Sequence, residues 1–157
     1  VKSVFLVSFV ISYSRTMSKR NRVQSCALEL LNQFADTSRA ARKQSVLKTS
    51  QFCFGVHRPQ LNIINRTLFE EFSPKSNEDY RKNILALWQG NGREMQYLAI
   101  DYAGKWKKMI KIENLDIYEK IIREGAWWDT VDIASTSLIG QLLRSQPEEL
   151  WPILDEW

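Results

Sequence analysis

The sequence predicts an all-α protein, a bundle or a stack of helix pairs. Three observations predict it. Apolar residues recur at three- and four-residue spacing through nearly all of 23–157. No stretch alternates apolar and polar residues between hairpin turns. Glycine and proline number six and four in 157 residues, too few for a chain of tight turns. The length suits one domain with a core of its own.

The helices follow in order. Residues 23–35 put Cys26, Ala27, Leu30, Leu31 and Phe34 on one face. Residues 38–48 form a basic helix, and Phe52, Phe54, Gly55 and Val56 a short apolar turn after it. Pro59 opens the third helix, where its missing N–H costs nothing; Leu61, Ile64, Leu68 and Phe72 are its apolar face. Ser76 caps a fourth helix bearing Tyr80, Ile84, Leu87 and Trp88. Gly90-Asn91-Gly92 is a break. A fifth helix runs over 93–109, with Tyr97, Ile100 and Trp106. Asn114 caps the sixth, and Gly125 ends it. The seventh spans 127–144, and Pro147 opens the eighth. The apolar stripe of that last helix reaches Trp157 without a polar tail, so further helices are expected to follow in the whole protein.

Charge is unevenly spread. Residues 37–66 hold Arg39, Arg42, Lys43, Lys48, Arg58 and Arg66 and no acid, and residues 104–112 hold Lys105, Lys107, Lys108 and Lys111 and no acid. The last thirteen residues carry only acids, Glu148, Glu149, Asp155 and Glu156. Basic clusters are the footprint of a polyanion partner, or else a set of solvated helix faces. The two cysteines, Cys26 and Cys53, lack metal or redox spacing and read as buried free thiols of an intracellular, cytoplasmic protein. His57 is the single histidine, which argues against a multi-histidine metal site and against a Ser-His-Asp triad. No metal and no cofactor is expected, and no segment is long enough to span a bilayer.

Residues 1–16 read differently from the rest. Residues 1–13 are apolar with one lysine, and Met17 begins the polar run Met-Ser-Lys-Arg-Asn-Arg. The favoured reading takes Met17 as the natural start and 1–16 as an upstream extension. A buried first helix or strand is the alternative, and a secretory signal a more distant one.

The seventh helix carries the chemistry. In Trp127-Trp128-Asp129-Thr130-Val131-Asp132, helical spacing assigns Trp127, Val131, Ala134, Leu138 and Leu142 to a buried stripe. Trp128 and Asp132 fall four apart on another face, with Ser135 and Thr136 beside them. An indole beside a carboxylate on a polar face can receive a cation. The plainer alternative makes Asp132 a surface acid and packs Trp128 under a neighbouring helix.

Several motifs resemble one family. Phe54-Gly55-Val56-His57-Arg58-Pro59 resembles the FxGxxxP turn of AlkD-like alkylpurine DNA glycosylases. Leu87-Trp88 with Arg93-Glu94-Met95-Gln96 resembles their LW…REFQ segment, and residues 101–108 its D…KYKK continuation. Residues 127–132 match the WWDxVD hallmark. The order and spacing agree, and the resemblance covers about residues 46–157. It implies HEAT-like repeats forming a curved, basic DNA cleft, with 17–157 the N-terminal part of that domain. It implies hydrolysis of the glycosidic bond of cationic N3- or N7-alkylated purines without base flipping, the work of a 3-methyladenine/7-methylguanine DNA glycosylase acting as a monomer on duplex DNA. Carried over by position, the catalytic aspartate is Asp132, the aromatic at the lesion is Trp128, and His57 and Arg58 approach DNA. Lys48, Lys105, Lys107 and Lys108 of the basic runs, and Arg93 outside them, join these as DNA-binding residues. The aromatic usual nine residues before the turn glycine is Val46 here. The rival readings are a DNA-binding module of the same fold without turnover and a protein-binding helical scaffold.

Overall fold

The computed structural model describes residues 22–157, so the extension at 1–16 lies outside the described residues. Every regular element among them is helical: α1 (Arg22–Gln33), α2 (Thr37–Leu47), α3 (Arg58–Glu71), α4 (Asn77–Trp88), α5 (Arg93–Lys105), α6 (Leu115–Gly125), α7 (Trp128–Ala134), α8 (Gly140–Ser145) and α9 (Pro147–Leu154). The all-α expectation holds.

Most boundaries follow from local chemistry. The Ser76 hydroxyl accepts from the Asp79 amide at 3.1 Å and starts α4, with Glu78 and Asp79 favourable in its first turn. Short connections fold α5 back against α4, the most extensive helix pairing among the described residues. The stacking is not strictly sequential, however. α1 packs on α3, α4 and α5, while α2 buries only Leu47 and stands at the edge.

Three expectations need correcting. The fifth helix ends at Lys105, and single 3₁₀ turns, Lys107–Met109 and Ile112–Asn114, follow it. Asn114 does not cap α6. The 3₁₀ turn runs straight into the helix, and the buried Asn114 amide donates instead to Met109 O and Asn77 Oδ1. The seventh helix is not uniform: α7 and α8 are joined by a π-helical turn, Ser135–Ile139. There Thr136 and Ser137 hydroxyls bond back to the Asp132 and Ile133 carbonyls, local competition that widens a helix.

The core runs through α1 and α3–α9, with Tyr80, Tyr102 and Tyr118 among its largest fully buried side chains. The Tyr80 and Tyr118 hydroxyls meet at 3.0 Å, and Tyr80 also donates to Ala103 O, so the buried oxygens are satisfied. Both cysteines are buried and unpaired, and burial pushes the Cys26 thiol up to about 11. Among the described residues no helix is long and apolar enough to cross a membrane.

Two glycines let the 51–57 segment close on its neighbours. Gly55 has φ +78°, and a Cβ there would lie 2.0 Å from Asp36 O. Gly92 has φ +108°, and its missing side chain leaves room for the Phe54 ring. Gly55→Ala should therefore lower stability by at least about 2 kcal/mol, combining a left-handed backbone with a backbone clash. Urea unfolding of the variant against wild type checks this.

Candidate functional site

The site is assembled at the start of α5. Arg93 and Glu94 are adjacent, both buried, and reach opposite ways. Glu94 carries a carboxylate with no exposed side-chain surface. It accepts from the Phe54 amide at 2.9 Å, the Gly55 amide at 3.0 Å and Lys43 Nζ at 2.5 Å. Lys43 Nζ also donates to Val56 O at 2.9 Å. One buried carboxylate thus holds the apolar turn and the edge helix α2 together.

Arg93 does the same for α7. Its guanidinium forks onto Asp129, with Nε donating to Oδ2 at 3.1 Å and Nη2 to Oδ1. It also donates to Gln51 Oε1 at 2.9 Å, Gln96 Oε1 and Thr130 Oγ1, while its own amide donates to Phe52 O at 2.8 Å. Tyr97, one turn along α5, donates its hydroxyl to Asp129. Burial alone would raise the Asp129 carboxyl, but the hydrogen bonds from Arg93 and Tyr97 and the Arg93 charge outweigh it and hold the group below the ordinary carboxylate range. Burial, with the neighbouring Asp129, pushes the Tyr97 phenol up.

Between these two walls lies an open slot of about 400 Å³. Arg39, Arg42 and Lys43 of α2 stand along one side, with Val46, Leu47, Val56, His57, Tyr97, Trp128 and Asp129 around the rest. Arg39 Nη1 lies 3.2 Å from His57 Nδ1, so that nitrogen accepts and the ring proton sits on Nε2.

The expected residues divide. Trp128 is 59% exposed at the slot, and Asp132 is exposed one turn further along α7. Among the described residues the Asp132 carboxylate has no hydrogen bond or ion pair. His57 lines the slot, whereas Arg58 and Lys105 line a neighbouring groove between α3 and α5. Lys48, Lys107 and Lys108 are exposed but line neither.

Two placements overturn expectations. Arg93 is 3% exposed and committed to Asp129, so it faces the interior and not a nucleic-acid surface. Trp127, expected in the core, is 38% exposed. Ala126 adopts a left-handed conformation after α6, Trp127 is extended, and α7 begins only at Trp128. The buried stripe therefore starts with Thr130, whose hydroxyl donates to Trp127 O, and continues through Ala134, Leu138 and Leu142, while Val131 is half-buried. Asp129 escaped notice in the sequence. An acid in a first helical turn was a visible signal, but its partner 36 residues away was not.

The family model described as DNA alkylation repair enzyme matches residues 27–157. The chain belongs to that family. The match spans α2–α9, the slot, and most of α1. No curated protein matches the chain. Membership makes DNA alkylation repair the role of this protein and DNA its substrate.

The Asp129 pair has a pH consequence. A carboxyl held low when folded contributes stability that is present above its unfolded value near 3.9 and is lost as pH falls through the folded value. Stability of the wild type should fall with acid from about pH 5 downward. Asp129→Asn should flatten part of that fall while lowering stability at neutral pH. Urea midpoints from pH 7 to pH 3 check this, and parallel curves for the two proteins would remove the Asp129 contribution.

Proposed function

We propose that this member of the DNA alkylation repair family hydrolyses the N-glycosidic bond of N3- and N7-alkylated purines in duplex DNA. Asp132 and Trp128 act on the lesion, and the base is not drawn into an enclosing pocket. The observation that carries the reading is the pairing on α7: an exposed indole and, one turn on, a carboxylate without a partner among the described residues, beside a slot lined by arginines and lysine.

The chemistry suits these groups. A purine alkylated at N3 or N7 is already a cation and needs no acid to leave. The C1′–N9 bond breaks, its electron pair goes to the purine, and the purine departs neutral. Positive charge gathers on the deoxyribose. A water oxygen bonds to C1′ and its proton passes to Asp132 or to solvent, leaving an abasic sugar. A carboxylate about 4 Å from the developing charge contributes roughly 4 kcal/mol at an effective dielectric near 20, about three decades in rate. In bulk water the same attraction is about 1 kcal/mol, so the duplex itself has to cover the carboxylate. The Trp128 face adds about 0.5–2 kcal/mol by attraction to the same cation.

The cationic wall supports leaving the base outside the slot. Arg39, Arg42 and Lys43 line it; Arg39 is paired with Asp36 and Lys43 with Glu94, but Arg42 has no ion-pair partner among the described residues, and the acid lining it, Asp129, is already committed to Arg93 and Tyr97. A positively charged purine gains little there. The lesion then faces Asp132, while the slot receives the neutral sugar or the anionic backbone. Lys48, Lys107 and Lys108 add exposed positive charge for phosphates elsewhere on the duplex. The buried free thiols suit a protein of a reducing cytoplasm.

The test is release of 7-methylguanine or 3-methyladenine from an alkylated duplex by the intact protein and by Asp132→Asn. That substitution keeps shape and removes charge. Release should fall by orders of magnitude with DNA affinity nearly unchanged. Equal release removes Asp132 from the mechanism. No release by either protein, with DNA still bound, moves it to the non-catalytic DNA-binding reading.

A further inference from the structure

A second concavity, about 440 Å³, lies between α3 and α5 and is separate from the Trp128 slot. Arg58, Asn62, Asn65, Arg66 and Phe69 line it from α3, and Asp101 and Lys105 from α5. Its charges are not balanced. Asp101 is fully engaged: Arg58 donates to Oδ1 at 3.0 Å and pairs with Oδ2 at 2.8 Å, and Asn65 Nδ2 donates to Oδ2 at 2.7 Å. Arg66 and Lys105 have no carboxylate within ion-pair distance among the described residues. Lys105 Nζ instead rests 5.4 Å from the centre of the Phe69 ring. The Arg58–Asp101 pair is a neutral wall, and the other two cations leave the groove positive.

Asn65 adds an independent sign. It is only 5% exposed, its amide orientation is set by donation to the acceptor-only Asp101, and its Oδ1 finds no donor among the described residues. A buried acceptor left so costs about 1–3 kcal/mol. It calls for a donor within the groove, and a water shared with an anion supplies one.

We infer that the α3–α5 groove is a seat for one backbone phosphodiester of the bound DNA strand. Arg66 and Lys105 reach its non-bridging oxygens from opposite helices. Asn62, one turn before Arg66, lends an amide donor, and Asn65 Oδ1 holds a water beneath. Geometry favours DNA over an acidic protein. Tyr97, Asp101 and Lys105 follow one another at four-residue spacing along α5, the first lining the slot and the other two the groove. Tyr97 to Lys105 spans about 12 Å of helix, a few nucleotides at about 3.4 Å of duplex axis per residue of a strand. A strand lying across Trp128 therefore reaches the groove a few phosphates away.

The inference rests on DNA being the ligand of this face, but it is read on lesion-free duplex, without turnover. Association of the intact protein with such a duplex would be followed by fluorescence anisotropy across salt concentration. Wild type, Arg66→Gln, Lys105→Gln and the double variant would be compared, with Lys82→Gln on α4, outside both cavities, as control. Each phosphate contact contributes about 0.9 to the log–log slope. Because both cations serve one phosphate, the double variant should lose about 0.9 in all, each single variant less, and the control nothing. Melting midpoints should not change. An unchanged slope in the double variant overturns the seat, as does a wild type without salt-dependent affinity. A loss near 1.8 overturns the single shared phosphate. Poly-glutamate competing as well as duplex at equal charge overturns DNA as the occupant. A slope loss as expected, in a protein that releases no alkylated base, keeps the seat and sinks the glycosylase reading.

Discussion

The arrangement depends on two neighbouring buried charges, Arg93 and Glu94, at the first turn of α5. Glu94 holds the 54–56 turn and, through Lys43, the α2 helix. Arg93 holds Asp129 and the first turn of α7. Both walls of the slot are thus hung from a single dipeptide. α2 has little apolar packing of its own, burying only Leu47, so its position relies on these polar contacts more than on the core. Buried ions carry a desolvation penalty, and removing one partner costs about 3–5 kcal/mol because the other is left alone. What the pairs supply is placement. The slot has fixed sides, Trp128 starts its helix at a defined point, and Asp132 follows one turn later.

The same design separates the two kinds of positive charge. Lys43 and Arg93 are spent inside the protein, and Arg58 is tied to Asp101. Arg42, Arg66 and Lys105 face the cavities without an ion-pair partner among the described residues, and Arg39 faces one while paired with Asp36. A count of basic residues overstates the DNA-binding charge, and their distribution between structure and surface is what a polyanion meets.

Much of the fold was legible because its signals are local. Ser76 before α4, the Gly90–Gly92 break and the spacing of Leu61, Ile64 and Leu68 each act within a few residues. The polar face carrying Trp128 and Asp132 was legible for the same reason. Trp127 was misplaced because a left-handed Ala126, unremarkable in sequence, moved the helix start by one residue. The π turn was hidden because threonine and serine mid-helix look ordinary until they bond back to the main chain. Arg93 was misread as surface charge, and Asp129 and the Lys43–Glu94 pair were missed, because their partners lie 36 and 51 residues away. No periodicity encodes such a distance.

Amide hydrogen exchange tests the two-sided tether most directly. Glu94→Gln should speed exchange at the Phe54 and Gly55 amides that the carboxylate holds, leaving α7 protected. Arg93→Gln should speed it at Thr130 and Val131, whose amides close the first turn of α7 on Trp127 O, leaving the 54–56 turn protected. Exchange that rises evenly over the whole chain in both variants, in step with global stability, would contradict the claim that each side chain holds its own wall.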